Sequence, residues 1–121
     1  MATILVIDDD ESFRSMLRRT LQRAGYDVVE ADEGAVGLRT LSGVSVDLVI
    51  TDIIMPNMEG IETLRVLRRA YPDLKVIAMS GGGRIRADTY LDVAHTFGAF
   101  RTLAKPFDNA QLFSAVEDAL R

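Results

Sequence analysis

Short apolar runs of strand length alternate along this chain with segments whose apolar residues recur at helical spacing. That alternation restricts the fold more than any other feature. Residues 3–7, 28–31, 47–52, 74–79 and 100–104 read as strands. Between the first two, Phe13, Met16, Leu17, Thr20, Leu21 and Ala24 have the i, i+3, i+4, i+7 spacing of one helix face, with Asp10 and Glu11 at its start and Gly25 at its end. Weaker helical spacing around Ala35, Leu38 and Leu41 stops near Gly43. Ile61, Leu64, Leu67 and Tyr71 form a third stripe, ended by Pro72 because proline cannot continue a helix. Helices over 87–97, before Gly98, and over 108–120, with Asp108 as N-cap, complete the pattern. Repeated βα units with right-handed crossovers need a parallel sheet covered by helices on both faces, so a three-layer α/β sandwich is expected.

With 121 residues, 48% of them hydrophobic, residues 1–121 are expected to form one domain burying roughly two-thirds of its unfolded surface. The absence of Cys removes disulfides, thiolate zinc sites and Cys nucleophiles together, and fits a reducing cytoplasm. Met1-Ala2-Thr3 has no basic leader, and no apolar run approaches the ~18 residues of a membrane span, so a cytoplasmic chain is expected. A net charge of -4 opposes direct binding to nucleic acid or an anionic membrane and favours a protein partner.

Four of the strand-like runs end in chemically useful polar residues: the first in Asp8, Asp9 and Asp10, the third in Asp52, the fourth in Ser80 and the fifth in Lys105. In a doubly wound, flavodoxin-like sheet of order 2-1-3-4-5, these carboxyl ends share one edge, and strands one and three are neighbours at the switch point. Asp9 and Asp52 should then face each other. Two carboxylates about 4 Å apart repel by roughly 4 kcal/mol at an effective dielectric near 20, so a proton or a cation must relieve them. Mg²⁺ suits one or two carboxylates, several waters and a phosphate oxygen.

The segment Ile4-Leu-Val-Ile-Asp-Asp-Asp10, then Asp47-Leu-Val-Ile-Thr-Asp-Ile-Ile-Met-Pro-Asn-Met-Glu-Gly60, then Ser80 and Lys105-Pro-Phe107 resembles a CheY-like response-regulator receiver domain of two-component signalling, over nearly the whole chain. The resemblance implies Asp52 as phosphoacceptor, with Asp8, Asp9, Asp52 and the backbone carbonyl of Ile54 holding Mg²⁺. Ser80 and Lys105 would contact the phosphoryl group, joined by the backbone N–H of Gly81. The family usually has the peptide bond before the residue at Pro106 in cis, against a general X-Pro frequency of roughly 5%. The implied donor is a sensor histidine kinase or histidine phosphotransferase, and the recipient a downstream protein target or output domain. Such a domain takes part in its own phosphotransfer and dephosphorylation without being an enzyme acting on a separate substrate. The chain ends where the last helix should end, as either a stand-alone regulator or an excised receiver would.

An alternative reading is a Mg²⁺-dependent phosphohydrolase with an aspartyl-phosphate intermediate, since Asp8-Asp9-Asp10-Glu11-Ser12 is close to the haloacid dehalogenase signature. That reading puts the nucleophile at Asp8 and leaves Asp52 without a role. A flavin site would want hydroxyl and glycine residues where this chain has acids. Gly81-Gly82-Gly83 lacks P-loop spacing and reads as a turn. His95 has no second His or Cys to form a cluster, and the arginines at 14, 18, 19 and 23 read as the polar face of the first helix. One departure from the family concerns the switch. Many receivers carry Tyr or Phe three residues before the lysine, where this chain has Thr102. Phe100 lies two residues earlier and, by strand alternation, on the same face, so it is the expected reporter when phosphate shifts the 81–86 loop.

Overall fold

Ile4 to Ile7 and Leu48 to Asp52 are buried at every position, as inner strands covered on both faces must be. In the computed structural model, which describes residues 2–53, 59–81, 92 and 94–121, these are β1 (Thr3–Ile7) and β3 (Leu48–Asp52). They lie in one parallel sheet with β2 (Asp27–Ala31), β4 (Lys75–Ser80) and β5 (Arg101–Ala104). The strand order is β2-β1-β3-β4-β5, the flavodoxin-like arrangement anticipated above. The described helices are α1 (Glu11–Arg23), α2 (Gly34–Gly43), α3 (Glu59–Ala70) and α4 (Asn109–Leu120). The helix expected over 87–97 falls largely outside the described residues.

Strand alternation divides the core in two. Ile4, Val6, Leu48, Ile50, Ile77 and Met79 meet Leu17 and Leu21 of α1 and Leu112 and Val116 of α4. Leu5, Ile7, Val49, Val76 and Ala78 meet Leu41, Leu64 and Leu67 on the other face. Register then aligns the functional ends. Ile7 pairs with Thr51, so Asp8 and Asp52 emerge side by side. Asp52 pairs with Met79 and Ser80 with Ala104, so Ser80 and Lys105 follow at the same edge.

Element ends differ from the sequence expectation by a residue or two, for local reasons. Asp47 does not open β3 as expected, because its carboxylate accepts a hydrogen bond from the Thr3 N–H at 2.8 Å and works as a tie to β1. Leu74 belongs to a turn, its N–H donating to the Tyr71 carbonyl at 3.1 Å, so β4 begins at Lys75. Asp108 caps α4 reciprocally with Gln111. Asp10 caps α1, and Gly25, at φ 98°, turns the chain out of it.

Gly60, in the first turn of α3, is required by space. A Cβ there would stand 2.3 Å from Ile53 Cα and 2.4 Å from the Ile53 carbonyl oxygen. Backbone cannot rotate away as a side chain can, so Gly60→Ala is expected to destabilise the fold by about 1–3 kcal/mol. The shift in urea midpoint measures it. Because Ile53 follows Asp52 directly, amide resonances of the β3 end should move in the same variant.

Candidate functional site

Every polar group of Asp8 is engaged. Its N–H donates to the Ala31 carbonyl (3.1 Å) and its carbonyl accepts from Arg14 Nη1 (2.8 Å). Its Oδ1 accepts from the Asp10 N–H (2.9 Å) and its Oδ2 from Lys105 Nζ (2.8 Å). The residue is wholly buried, so each of these bonds replaces water. Three successive acids therefore have three situations. Asp8 is an internal anchor, Asp9 is exposed, and Asp10 accepts from the Phe13 N–H at 3.1 Å as the N-cap of α1.

Asp52, the last residue of β3, is also buried, and its Oδ2 accepts from Lys105 Nζ at 3.2 Å. One carboxylate oxygen from each of Asp8, Asp9 and Asp52 lies within 4.8 Å of the other two. Three carboxylates and one ammonium leave the cluster negative. An all-oxygen donor set in that state fits a hard divalent cation such as Mg²⁺ better than a thiophilic one.

Lys105 reaches this point from the end of β5, its N–H donating to the Ser80 carbonyl at 2.7 Å and its peptide bond to Pro106 cis. The ammonium bridges the two buried aspartates and lies 4.0 Å from the Phe13 ring centroid, with Phe13 edge-on to Phe107. Burial pulls its pKa down, but the hydrogen bond to Asp8 and the charges of Asp52 and Asp8 outweigh that, so the group titrates above the ordinary lysine value. Gly81 lets the lysine stem pass, since a Cβ there would stand 3.2 Å from Lys105 Cδ. Ser80 is wholly buried at the end of β4, and among the described residues its Oγ has no hydrogen-bond partner. An unsatisfied buried hydroxyl costs about 1–3 kcal/mol, and in a native site it calls for an absent partner.

Other expected residues sit elsewhere. Ile54 and residues 82–86 lie outside the described residues. Thr102 pairs with Ala78 in β5 and is half-buried. Phe100 precedes the strand, donates its N–H to the Val76 carbonyl at 2.8 Å, and packs its partly exposed ring 5.1 Å from Lys75 Nζ, toward the amino ends of the strands. Of the α1 arginines, Arg19 and Arg23 are exposed, while Arg14 and Arg18 are partly buried. Arg14 is tied to Asp8 and, through Nε, to Glu30 of β2 at 3.1 Å, while Arg18 Nε stands 3.4 Å from the other Glu30 oxygen without hydrogen-bond geometry. No sequence signal marks Glu30, which is distant along the chain and on another element. A cavity of about 490 Å³ opens at the opposite end of the strands between Leu41, Val44, Asp47, Tyr71 and Leu74, and includes none of the clustered acids.

The family model for the response regulator receiver domain matches residues 4–117. The transcriptional regulatory protein GlrR of Escherichia coli (strain K12) is 37% identical over 119 residues, covering 98% of this chain and 26% of that protein. This chain thus spans about a quarter of the length of GlrR and of the NtrC regulators it also matches. The response regulator receiver protein CpdR of Brucella abortus (strain 2308) is 33% identical over 120 residues, covering 99% of this chain and 98% of CpdR. Among solved structures, the response regulator protein TrrA from Thermotoga maritima in complex with Mg²⁺-BeF superposes with a TM-score of 0.86 at 30% identity, covering 99% of this chain and all of that one. With the family model spanning nearly the whole chain and a receiver protein aligned end to end, this chain belongs to the response regulator receiver domain family.

Proposed function

We propose that residues 1–121 act as one receiver domain in which Asp52 takes a phosphoryl group from a phosphohistidine on a sensor histidine kinase or histidine phosphotransferase. The observation carrying this reading is the place of Asp52: at the sheet edge, ringed by the Asp8 and Asp9 carboxylates and held by Lys105. Asp52 rather than Asp8 is the nucleophile in this reading, because the Asp8 side chain is 0% exposed and that of Asp52 8%. Asp8, Asp9, Asp52 and the Ile54 carbonyl would hold Mg²⁺. Bound there, the cation supplies positive charge for the phosphoryl oxygens.

An oxygen of the Asp52 carboxylate forms the new bond to phosphorus, the histidine N–P bond breaks, and its electron pair returns to the imidazole. Lys105 has three N–H donors and can turn one to a phosphoryl oxygen while keeping Asp8. The unpartnered Ser80 hydroxyl gains an acceptor from the same group, and the Gly81 N–H a second. These contacts favour one arrangement of the edge around residues 80–86 over another, which is all a switch requires. The signal then passes through the surface of residues 87–97, β5 and α4, with Phe100 rather than Thr102 reporting, to an output domain or a separate protein target. The setting is cytoplasmic; among the described residues no helix is long and apolar enough to cross a membrane.

Acetyl phosphate supplies the test. Peptide mapping after incubation with and without Mg²⁺ should find phosphate on Asp52 only when Mg²⁺ is present. Labelling at Asp8 would favour the phosphohydrolase instead, and labelling unaffected by chelation would remove the cation from the scheme.

A further inference from the structure

We infer that Arg14, braced by Glu30, is a positioning residue for the cation-binding carboxylates on the turn after β1. The inference rests on the Mg²⁺ site proposed above. Arg14 lies on α1 with its side chain 15% exposed, and its guanidinium spans two elements: Nη1 donates to the Asp8 carbonyl at 2.8 Å, and Nε to Glu30 Oε1 of β2 at 3.1 Å. The Asp8 carbonyl belongs to the planar peptide that carries the Asp9 nitrogen, so holding that oxygen sets the direction in which Asp9 leaves the strand. Asp9 needs such help. Its side chain is exposed, and among the described residues no hydrogen bond or ion pair restrains it. Its carboxylate nevertheless lies within 4.8 Å of those of Asp8 and Asp52. The backbone, rather than any side-chain partner, puts it there: the Asp8 carboxylate holds the Asp10 N–H in the peptide after Asp9, and Arg14 holds the carbonyl of the peptide before it.

Charge and position make opposite predictions, which lets them be told apart. A guanidinium beside a cation site repels the cation, so by Coulomb's law alone its removal tightens Mg²⁺ binding. A residue that orients ligands weakens binding when lost, commonly by about tenfold or more. Calorimetric Mg²⁺ titration of the full chain, with circular dichroism to verify folding, reads the sign. Arg14→Met is expected to raise the Mg²⁺ Kd about tenfold. Arg14→Lys keeps the charge but replaces the planar fork, whose separate nitrogens reach the Asp8 carbonyl and Glu30, with a single nitrogen, so its Kd should fall between parent and Arg14→Met. Binding by Arg14→Met as tight as the parent's, or tighter, overturns the inference. Should Arg14→Met not fold, an unchanged Kd in Arg14→Lys overturns it equally. Failure of the parent itself to bind Mg²⁺ removes the proposed cation site and the inference together; binding by the parent with no change in the variants removes the inference alone.

Discussion

Asp52→Asn should leave the chain unlabelled by acetyl phosphate and, in Mg²⁺-free solution, more stable than the parent. An amide oxygen is a poor nucleophile and the product would lack the acyl phosphate, so labelling should fall by at least about 100-fold. The stability gain follows from the charges. Asp52 has two carboxylate neighbours within 4.8 Å and one ammonium at 3.2 Å. At an effective dielectric near 20 each repulsion is worth about 3.5 kcal/mol and the attraction to Lys105 about 5, so the two repulsions together exceed that attraction. Asp9 is exposed and water screens its share, so about 1–2 kcal/mol of stabilisation is expected. Urea denaturation with and without Mg²⁺ measures it, and the gap should narrow when the cation is present. A loss of stability in Mg²⁺-free solution would mean that the attractive contacts of Asp52 outweigh both repulsions.

Lys105→Met should act in the opposite direction. It leaves two buried carboxylates with no ammonium between them, and breaking a buried pair from one side costs about 3–5 kcal/mol. The methionine still packs on Phe13, so the lower end, about 3 kcal/mol, is expected, a fall of roughly 10 °C in Tm for a chain this size. Adding Asp52→Asn to Lys105→Met should restore part of the loss, because it removes one of the two stranded charges. The pH dependence has a definite sign. The folded pKa of Lys105 lies above its unfolded value, so the stabilisation is fully present below about pH 10.4 and is lost as pH rises through the folded value. The difference between parent and Lys105→Met should therefore stay level from neutral pH to about 10 and close only above that. A gap that closes near neutral pH would show that Lys105 is not the compensating charge.

The parts of this protein that depend on near neighbours in the chain were legible in its residues. The α1 stripe from Phe13 to Ala24 and its Asp10 cap are local patterns, repeated with the helical period. So is Pro72 beyond α3. The parallel sheet was legible for a related reason, since short apolar runs joined by helical segments admit few right-handed arrangements; the order 2-1-3-4-5 among them came partly from the receiver resemblance, and in it Asp8, Asp52, Ser80 and Lys105 each stand at or just past a strand end. Alternation does not fix the direction of Phe100, which lies just outside β5, where the pleat no longer dictates it.

Side-chain geometry was decided by the tertiary structure. Sequence could put Asp8 and Asp9 at the site and Asp10 at the helix start, but could not tell the buried anchor Asp8 from the exposed carboxylate Asp9, because their roles turn on a reversal of direction within three residues. It marked Ser80 without showing that its hydroxyl is buried and, among the described residues, without a hydrogen-bond partner. It read Arg14 as part of a solvated face, whereas packing of α1 beside β2 carries that guanidinium to Glu30 and the Asp8 carbonyl. Periodicity and capping are near-neighbour properties and can be read along the chain. The pairing of charges between α1 and β2, or across the edge from β5 to β1, depends on register and burial, and those exist only once the sheet has closed around its two cores.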